Sequence, residues 1–261
     1  MLNKKELNLG GYIIKSRLIV GTGKYKNMQE TADAIEASGA DMVTVAVRRM
    51  NITDNKEERL QDFISPKKYR YLPNSAFCNT PEEALRYLSL AREAGGWDLV
   101  KLEVFGSDIK TLYPDIIKTI EANKLLVKEG FKTMVYCNDD PVTCKILEED
   151  GATAIMPLAA PIGSGLGIQN YTNIKFIIEQ SNIPVIIDAG VGRPSDATKA
   201  MEMGCDGILI NSSIAYADCP IEMASAMKHA VIAGRMGYEA GIMAKKEYSN
   251  ASTTKKKMLA E

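Results

Sequence analysis

Short apolar, β-branched runs alternate with longer stretches of helical periodicity along the chain. Eight runs read as strands: RLIVG (17–21), MVTVAV (42–47), RYLPN (70–74), DLVKLEV (98–104), KTMVYC (132–137), TAIMPL (153–158), PVIIDAG (184–190) and GILINS (207–212). RYLPN is the weakest of them. Between the strands lie helical segments such as TPEEALRYLSLAREAG and DIIKTIEANKLLVKEG. Many open on Thr, Ser or Asp, whose side chains accept an unpaired amide at a helix start, and several end on Gly, a common helix stop. Strands roughly 20–35 residues apart, each followed by a crossover, predict a parallel sheet closed on itself. The expected fold is a single (β/α)8 TIM barrel of the α/β class, with an open doubly wound sheet as runner-up. The barrel should span residues 1–243, and the polar, lysine-rich remainder, 244–261, should be a flexible tail.

One strand breaks the apolar pattern. WDLVKLEVFG (97–106) carries Lys101 and Glu103 in its middle. Side chains alternate along a strand, so these two point one way and Leu102 and Val104 the other. The helix-facing side of a barrel strand must be apolar, so Lys101 and Glu103 face the interior near the mouth. Burial penalises a charged amine and lowers its pKa, while the adjacent carboxylate raises it; the sequence leaves the net shift open. A neutral amine attacks ketones and aldehydes to form Schiff bases, and a carboxylate can move the protons that step requires. The bland alternative is a buried ion pair that ties strands together. Asp188, at the end of PVIID, shares the inward face of its strand with Ile186. Three charged groups around one mouth suit acid–base catalysis better than simple pairing.

Three loops point to an anion. APIGSGLGI (160–168), AGVGRPSDA (189–197) and NSSIA (211–215) follow the sixth, seventh and eighth strands. The second leads into a helix that Ser195 or Asp196 could cap. Loops after the last strands of a barrel often bind phosphate through backbone amides, and Gly lets the chain approach closely. GTGKY (21–25) lacks the P-loop pattern, and Gly163, Gly165 and Gly167 give G-x-G-x-G rather than a dinucleotide fingerprint.

Composition narrows the field. The 261 residues carry 32 basic and 33 acidic side chains, a formal net charge of −1, which argues against nucleic acid or a polybasic membrane surface. No apolar run approaches a membrane span, and the start of the chain does not read as a secretory signal, so a soluble cytoplasmic protein is expected. Five cysteines without a C-x-x-C pair suggest buried thiols rather than disulfides or zinc. The single histidine, His229, lies in a helical segment and reads as structural, leaving acid–base work to carboxylates, lysine or tyrosine. No metal or cofactor is expected. Arg48 and Arg49 could bind an anion or a partner subunit, or simply end a solvated loop. Tyr25 and Tyr136 read as packing residues.

SRLIVGTGKY, VTVAVRR, WDLVKLEVFG, LYPD with LVKEGF, MPLAAPIGSGLGI, PVIIDAGVGRPSDA and GILINSSIA together resemble thiazole synthase of bacterial thiamin biosynthesis. They occur in family order over about residues 16–216. The resemblance implies a barrel that joins 1-deoxy-D-xylulose 5-phosphate, dehydroglycine and sulfur from the C-terminal thiocarboxylate of a ubiquitin-like carrier protein. It places the Schiff-base lysine at Lys101 and acid–base carboxylates at Glu103 and Asp188. Sugar-phosphate contacts fall on Gly163, Ala189, Gly190, Asn211 and Ser212. It further implies a homotetramer that works with the carrier and with an enzyme that forms dehydroglycine. Two competing readings are a class I aldolase-type barrel acting on another sugar phosphate and a non-catalytic scaffold for a pathway partner.

Overall fold

The structure, a computed structural model, describes residues 6–47, 59–106 and 110–252. Arg48 and Arg49 lie outside the described residues. The chain opens with a hairpin of β1 (Leu7–Leu9) and β2 (Tyr12–Ile14), turned by Gly10 and Gly11 at φ 62° and 92°. Eight parallel strands follow: β3 (Leu18–Gly21), β4 (Met42–Ala46), β5 (Arg70–Asn74), β6 (Leu99–Leu102), β7 (Lys132–Cys137), β8 (Ala154–Pro157), β9 (Ile186–Asp188) and β10 (Gly207–Ile210). Their order is β8-β7-β6-β5-β4-β3-β10-β9. Parallel bridges Ile155–Val185 and Leu158–Asp188 join β8 to β9 and close the ring. The (β/α)8 barrel is thus the observed fold, and closure excludes the open sheet. Each expected strand is present, and RYLPN matches β5 to the residue. The expected seventh and eighth strands run on past β9 and β10, because the chain there turns into the loops of the mouth.

The helices are α1 (Met28–Ser38), α2 (Leu60–Phe63), α3 (Pro81–Gly95), α4 (Ile116–Lys128), α5 (Pro141–Glu149), α6 (Tyr171–Gln180), α7 (Pro194–Glu202), α8 (Ser212–Ala215) and α9 (Pro220–Ala240). Local chemistry sets their starts. Asn27, Thr80, Asp115, Asp140 and Asn170 each accept an amide from the first turn of the following helix. At α7 the second of the two expected residues caps. Ser195 does not cap; Asp196, already inside the first turn, reaches back to the amides of Gly192 and Arg193 at 3.2 and 3.0 Å. Residues 241–252 form neither helix nor strand. Among the described residues no helix is long and apolar enough to cross a membrane.

Two apolar layers result from strand alternation. Outward side chains such as Val43, Val100, Leu102, Val104 and Ile187 pack against the helices. Inward ones, including Ile19, Met42, Leu72, Leu99, Met134 and Ile186, fill the barrel floor, where Leu7, Leu9 and Ile14 of the hairpin join them. The hairpin is therefore the barrel's bottom plug. It is locked by Tyr12, whose hydroxyl donates to Asp98 and whose ring lies 4.1 Å from the Arg70 guanidinium and 4.7 Å from the Lys132 amine.

Helix α9 seals the ring against α1 and α7, and two of its glycines have opposite meanings. A Cβ on Gly234 would lie 2.4 Å from the Thr198 carbonyl oxygen, so the helices need the missing side chain to approach. A Cβ on Gly237 would meet nothing within 4 Å. Gly234→Ala should therefore lower stability by about 1–3 kcal/mol through overpacking. Gly237→Ala should raise it by about 0.5–1 kcal/mol, since alanine loses less backbone entropy in a helix. Urea unfolding of the two variants checks the pair; the same sign for both would contradict the packing assigned to α9.

Candidate active site

Above the apolar floor the barrel interior turns polar. Thr44, Asn74, Lys101, Glu103, Tyr136 and Asp188 point inward from five strands or their ends, and every one is buried. At the centre, the Lys101 Nζ lies 2.8 Å from Glu103 Oε1 and 2.6 Å from Asp188 Oδ2. Lys101, Glu103 and Asp188 retain only 6%, 6% and 3% of their exposure, so solvent screens these contacts little. Glu103 sits just past β6, where its main chain is held by Ser75. The Ser75 hydroxyl donates to the Glu103 carbonyl at 2.9 Å and accepts from the Glu103 amide at 2.8 Å. A side chain thus continues the β5–β6 ladder beyond its single residue pair, Asn74–Lys101.

Electrostatics decide the question the sequence left open. Burial works to lower the Lys101 pKa, but attraction to Asp188 and Glu103 outweighs it, and the net shift is upward. The resting amine is therefore an ammonium ion. The Glu103 carboxyl moves up as well, chiefly by burial, with repulsion from Asp188 adding and Lys101 opposing. Two carboxylates share one cation, so one of them binds a proton more readily than a solvated carboxyl does.

Facing this cluster is a cavity of about 830 Å³. The loops after β8, β9 and β10 form its far wall. Gly163 (φ 75°), Ala189 (φ 59°) and Gly190 (φ 77°) all adopt left-handed backbone. Ala189 carries real strain there, since only glycine enters that region freely. Neighbouring segments hold the turn: Ala159 donates to the carbonyls of Asp188 and Ala189, and Gly167 to that of Gly190. Gly190 admits no side chain, because a Cβ would lie 2.4 Å from the Ala160 amide. The amides of Gly163, Gly190, Ser212 and Ser213 donate to no acceptor among the described residues. Asn211 completes the wall, its Oδ1 buried without a partner among the described residues. Gly21 makes room for it: a Cβ there would stand 2.6 Å from the Asn211 Cβ. All eight residues singled out in the sequence thus line or adjoin one cavity.

The family model described as "Thiazole biosynthesis protein ThiG" matches residues 8–254. The chain belongs to the ThiG family. Among its relatives, the thiazole synthase of Neorickettsia sennetsu is 64% identical, the match covering 95% of this chain and 96% of that one. The thiazole synthase of Pelagibacter ubique is 60% identical over 98% and 96% of the two chains. A solved structure, the Amycolatopsis orientalis BexX/CysO complex, contains a chain that is 32% identical and superposes with a TM-score of 0.82, covering 93% of this chain and 98% of that chain. Membership makes this chain an enzyme of thiazole formation in thiamine biosynthesis.

Tyr136 was read as a packing residue, and the structure gives it more. Its ring packs against Phe105 with centroids 6.1 Å apart, and the Lys101 Nζ lies 5.5 Å from its centroid. Its hydroxyl is buried and has no partner among the described residues. Thr44 and Asn74 were missed altogether, because neutral polar residues are ordinary in strands and only the register shows which way they point. His229 is exposed on α9, bonded to the Ser225 carbonyl at 2.7 Å. All five cysteines are free, four of them buried. Among the described residues no group of three or more His, Cys, Asp or Glu is placed to hold a metal ion.

The charge imbalance has a pH signature. A folded pKa raised above its unfolded value stabilises the fold below the unfolded pKa, and that contribution is lost as pH rises through the folded value. For Lys101 the window starts above its ordinary 10.5, so its contribution is constant between pH 5 and 9. For Glu103 it starts above the ordinary 4.5, so ionisation of that carboxyl opposes folding as pH rises. Lys101→Met removes the one group that lowers the Glu103 pKa. Its loss of stability should be greater at pH 8, about 3–5 kcal/mol, than at pH 5, and Glu103→Gln added to it should recover part. Thermal unfolding at the two pH values checks this; equal losses would mean the carboxylates do not depend on the lysine.

Proposed function

We propose that this chain is a thiazole synthase acting through an imine on Lys101. The substrates are 1-deoxy-D-xylulose 5-phosphate, dehydroglycine and sulfur carried as the C-terminal thiocarboxylate of a ubiquitin-like protein. The observation that carries the reading is one primary amine held between two buried carboxylates, facing a wall of unpaired amides across a single cavity. A phosphate dianion suits those amides; a ketone at the other end of the chain then reaches the amine.

The chemistry follows from the charge state. An ammonium ion is no nucleophile, so Lys101 must first give up a proton. Glu103, with its raised pKa, is the natural acceptor and converts an ion pair into a neutral pair. The free amine adds to the ketone carbon, and the carbinolamine loses water, its oxygen protonated by Glu103, to leave an iminium. Asp188 takes the proton from the adjacent carbon, and the electron pair flows to nitrogen. Reprotonation moves the carbonyl along the chain, where sulfur adds. Dehydroglycine then condenses and closes the ring with loss of water. Lys101 beside the Tyr136 ring favours the cationic iminium as it favours the ammonium.

Carrier delivery is supported by the rim. Phe77, Ile162 and Tyr216 line the cavity mouth and are exposed, a surface fit for an incoming chain terminus. That a homologous chain occurs in a BexX/CysO complex agrees with a second protein docking on this fold. The homotetramer and the partnership with a dehydroglycine-forming enzyme rest on the family resemblance.

Incubation with 1-deoxy-D-xylulose 5-phosphate, borohydride reduction and peptide mapping should place a reduced adduct on Lys101; well-folded protein without an adduct would reject the imine. Thiazole phosphate should then form only when the thiocarboxylated carrier is added, which separates this enzyme from an aldolase-type barrel. Asp188→Asn should keep the fold and slow turnover roughly 10²–10⁴-fold, the loss of one acid–base group. An unchanged rate would remove Asp188 from the mechanism.

A further inference from the structure

Two members of the buried polar layer have no part in the steps above. Thr44 on β4 and Asn74 on β5 retain 6% and 8% of their exposure and line the same cavity as Lys101. They bond to each other, the Asn74 Nδ2 donating to the Thr44 Oγ1 at 2.9 Å. The Asn74 Oδ1 accepts from the Ala76 amide at 3.3 Å, which fixes which way the side-chain amide faces. Asn74 is also the register partner of Lys101 in the ladder.

Their donor inventory is not exhausted. An Asn side chain has two N–H hydrogens, and one goes to Thr44. A Thr hydroxyl has one, and here its oxygen is already an acceptor. One N–H and one O–H hydrogen therefore find no acceptor among the described residues, on adjacent strands in the wall of the cavity that Lys101 lines. The fold itself does not ask for them. Met42 and Leu72, the next inward residues below, are apolar and pack into the barrel floor. A second pair of apolar side chains at this level would have extended that floor.

We propose that Thr44 and Asn74 determine specificity by holding the hydroxyl on the carbon next to the imine carbon. The inference rests on the imine reading above. With the phosphate at the loops after β8–β10 and the ketone carbon at Lys101 on β6, the neighbouring hydroxyl lies at the level of β5 and β4. Two donors converging on that oxygen orient its carbon so that the C–H faces Asp188. They also favour the oxygen when it becomes the new carbonyl, because a carbonyl accepts two hydrogen bonds and donates none.

The test compares two ketones that differ only in that hydroxyl. Borohydride trapping on Lys101 is measured as a function of concentration for the hydroxylated ketone, 1-deoxy-D-xylulose 5-phosphate, and for the deoxygenated ketone, 4-hydroxy-5-phosphooxypentan-2-one, the same chain without the hydroxyl next to the carbonyl. In the unaltered protein the hydroxylated ketone should trap at lower concentration. Thr44→Val and Asn74→Leu should each weaken it about tenfold and leave the deoxygenated ketone unchanged. Thr44→Ser, which keeps the hydroxyl, should restore the preference. Should Asn74→Leu fail to fold, the near-isosteric Thr44→Val together with Thr44→Ser still decides the matter. Equal weakening of both ketones, or of neither, overturns the proposal and leaves the imine standing. An unaltered protein that traps neither ketone overturns the imine reading and this inference with it.

Discussion

The Lys101 ammonium between Glu103 and Asp188 is the constraint on which the site depends. It brings together charges from β6 and β9, strands that are not neighbours in the ring, across the barrel interior. Burying three ionised groups is costly, and a pair would have sufficed for neutrality. The extra carboxylate leaves the cluster one negative charge in excess. Attraction to both carboxylates raises the Lys101 pKa, burial chiefly raises that of Glu103, and on the proposed route Glu103 accepts the lysine proton. A solvated lysine would be protonated too, but its proton would pass to bulk water rather than to a fixed neighbour.

The floor beneath makes this arrangement possible. Ile19, Met42, Leu72, Leu99 and Met134 fill the interior, and the N-terminal hairpin closes it with Leu7, Leu9 and Ile14. Water therefore has no route to the cluster from below, and the mouth is the one side on which the amine can be approached. Above, the loops after β8, β9 and β10 present backbone to the cavity. Four amides there lack acceptors among the described residues, and Arg193 of the loop after β9 lines the same cavity.

Much of this was legible in the sequence, for a definable reason. Parallel barrel strands are covered on both faces, so they read as apolar runs, and a charge inside such a run has few explanations. Lys101, Glu103 and Asp188 stood out on that account, and the glycines after the sixth and seventh strands stood out as breaks. What escaped was what depends on partners distant in the chain. Gly21 looked like a failed P-loop; its purpose is space for Asn211. Thr44 and Asn74 gain meaning only once register sets them level with Lys101. The three-residue strands of the hairpin are too short for periodicity, although Gly10-Gly11 between alternating apolar residues was a hairpin signal. The direction of the lysine shift also needed the structure, because burial and pairing oppose each other and distances decide between them.

The neutral amine that imine formation needs and the resting ammonium that the raised pKa implies are two stages of the proposed cycle. An amine kept permanently neutral by burial would be nucleophilic but would have no proton nearby to expel water from the carbinolamine. A permanently charged one would never attack. The cluster avoids both by keeping its proton inside. It sits on Lys101 at rest, and on the proposed route it moves to Glu103 for the attack and leaves with the departing hydroxyl as water. Asp188, at the end of β9, serves the carbon acid on that route, while Glu103, having passed its proton to the departing hydroxyl, is a carboxylate again. With two carboxylates to one amine, that route divides unmasking the nucleophile and deprotonating the adduct between two bases, and neither step draws on solvent.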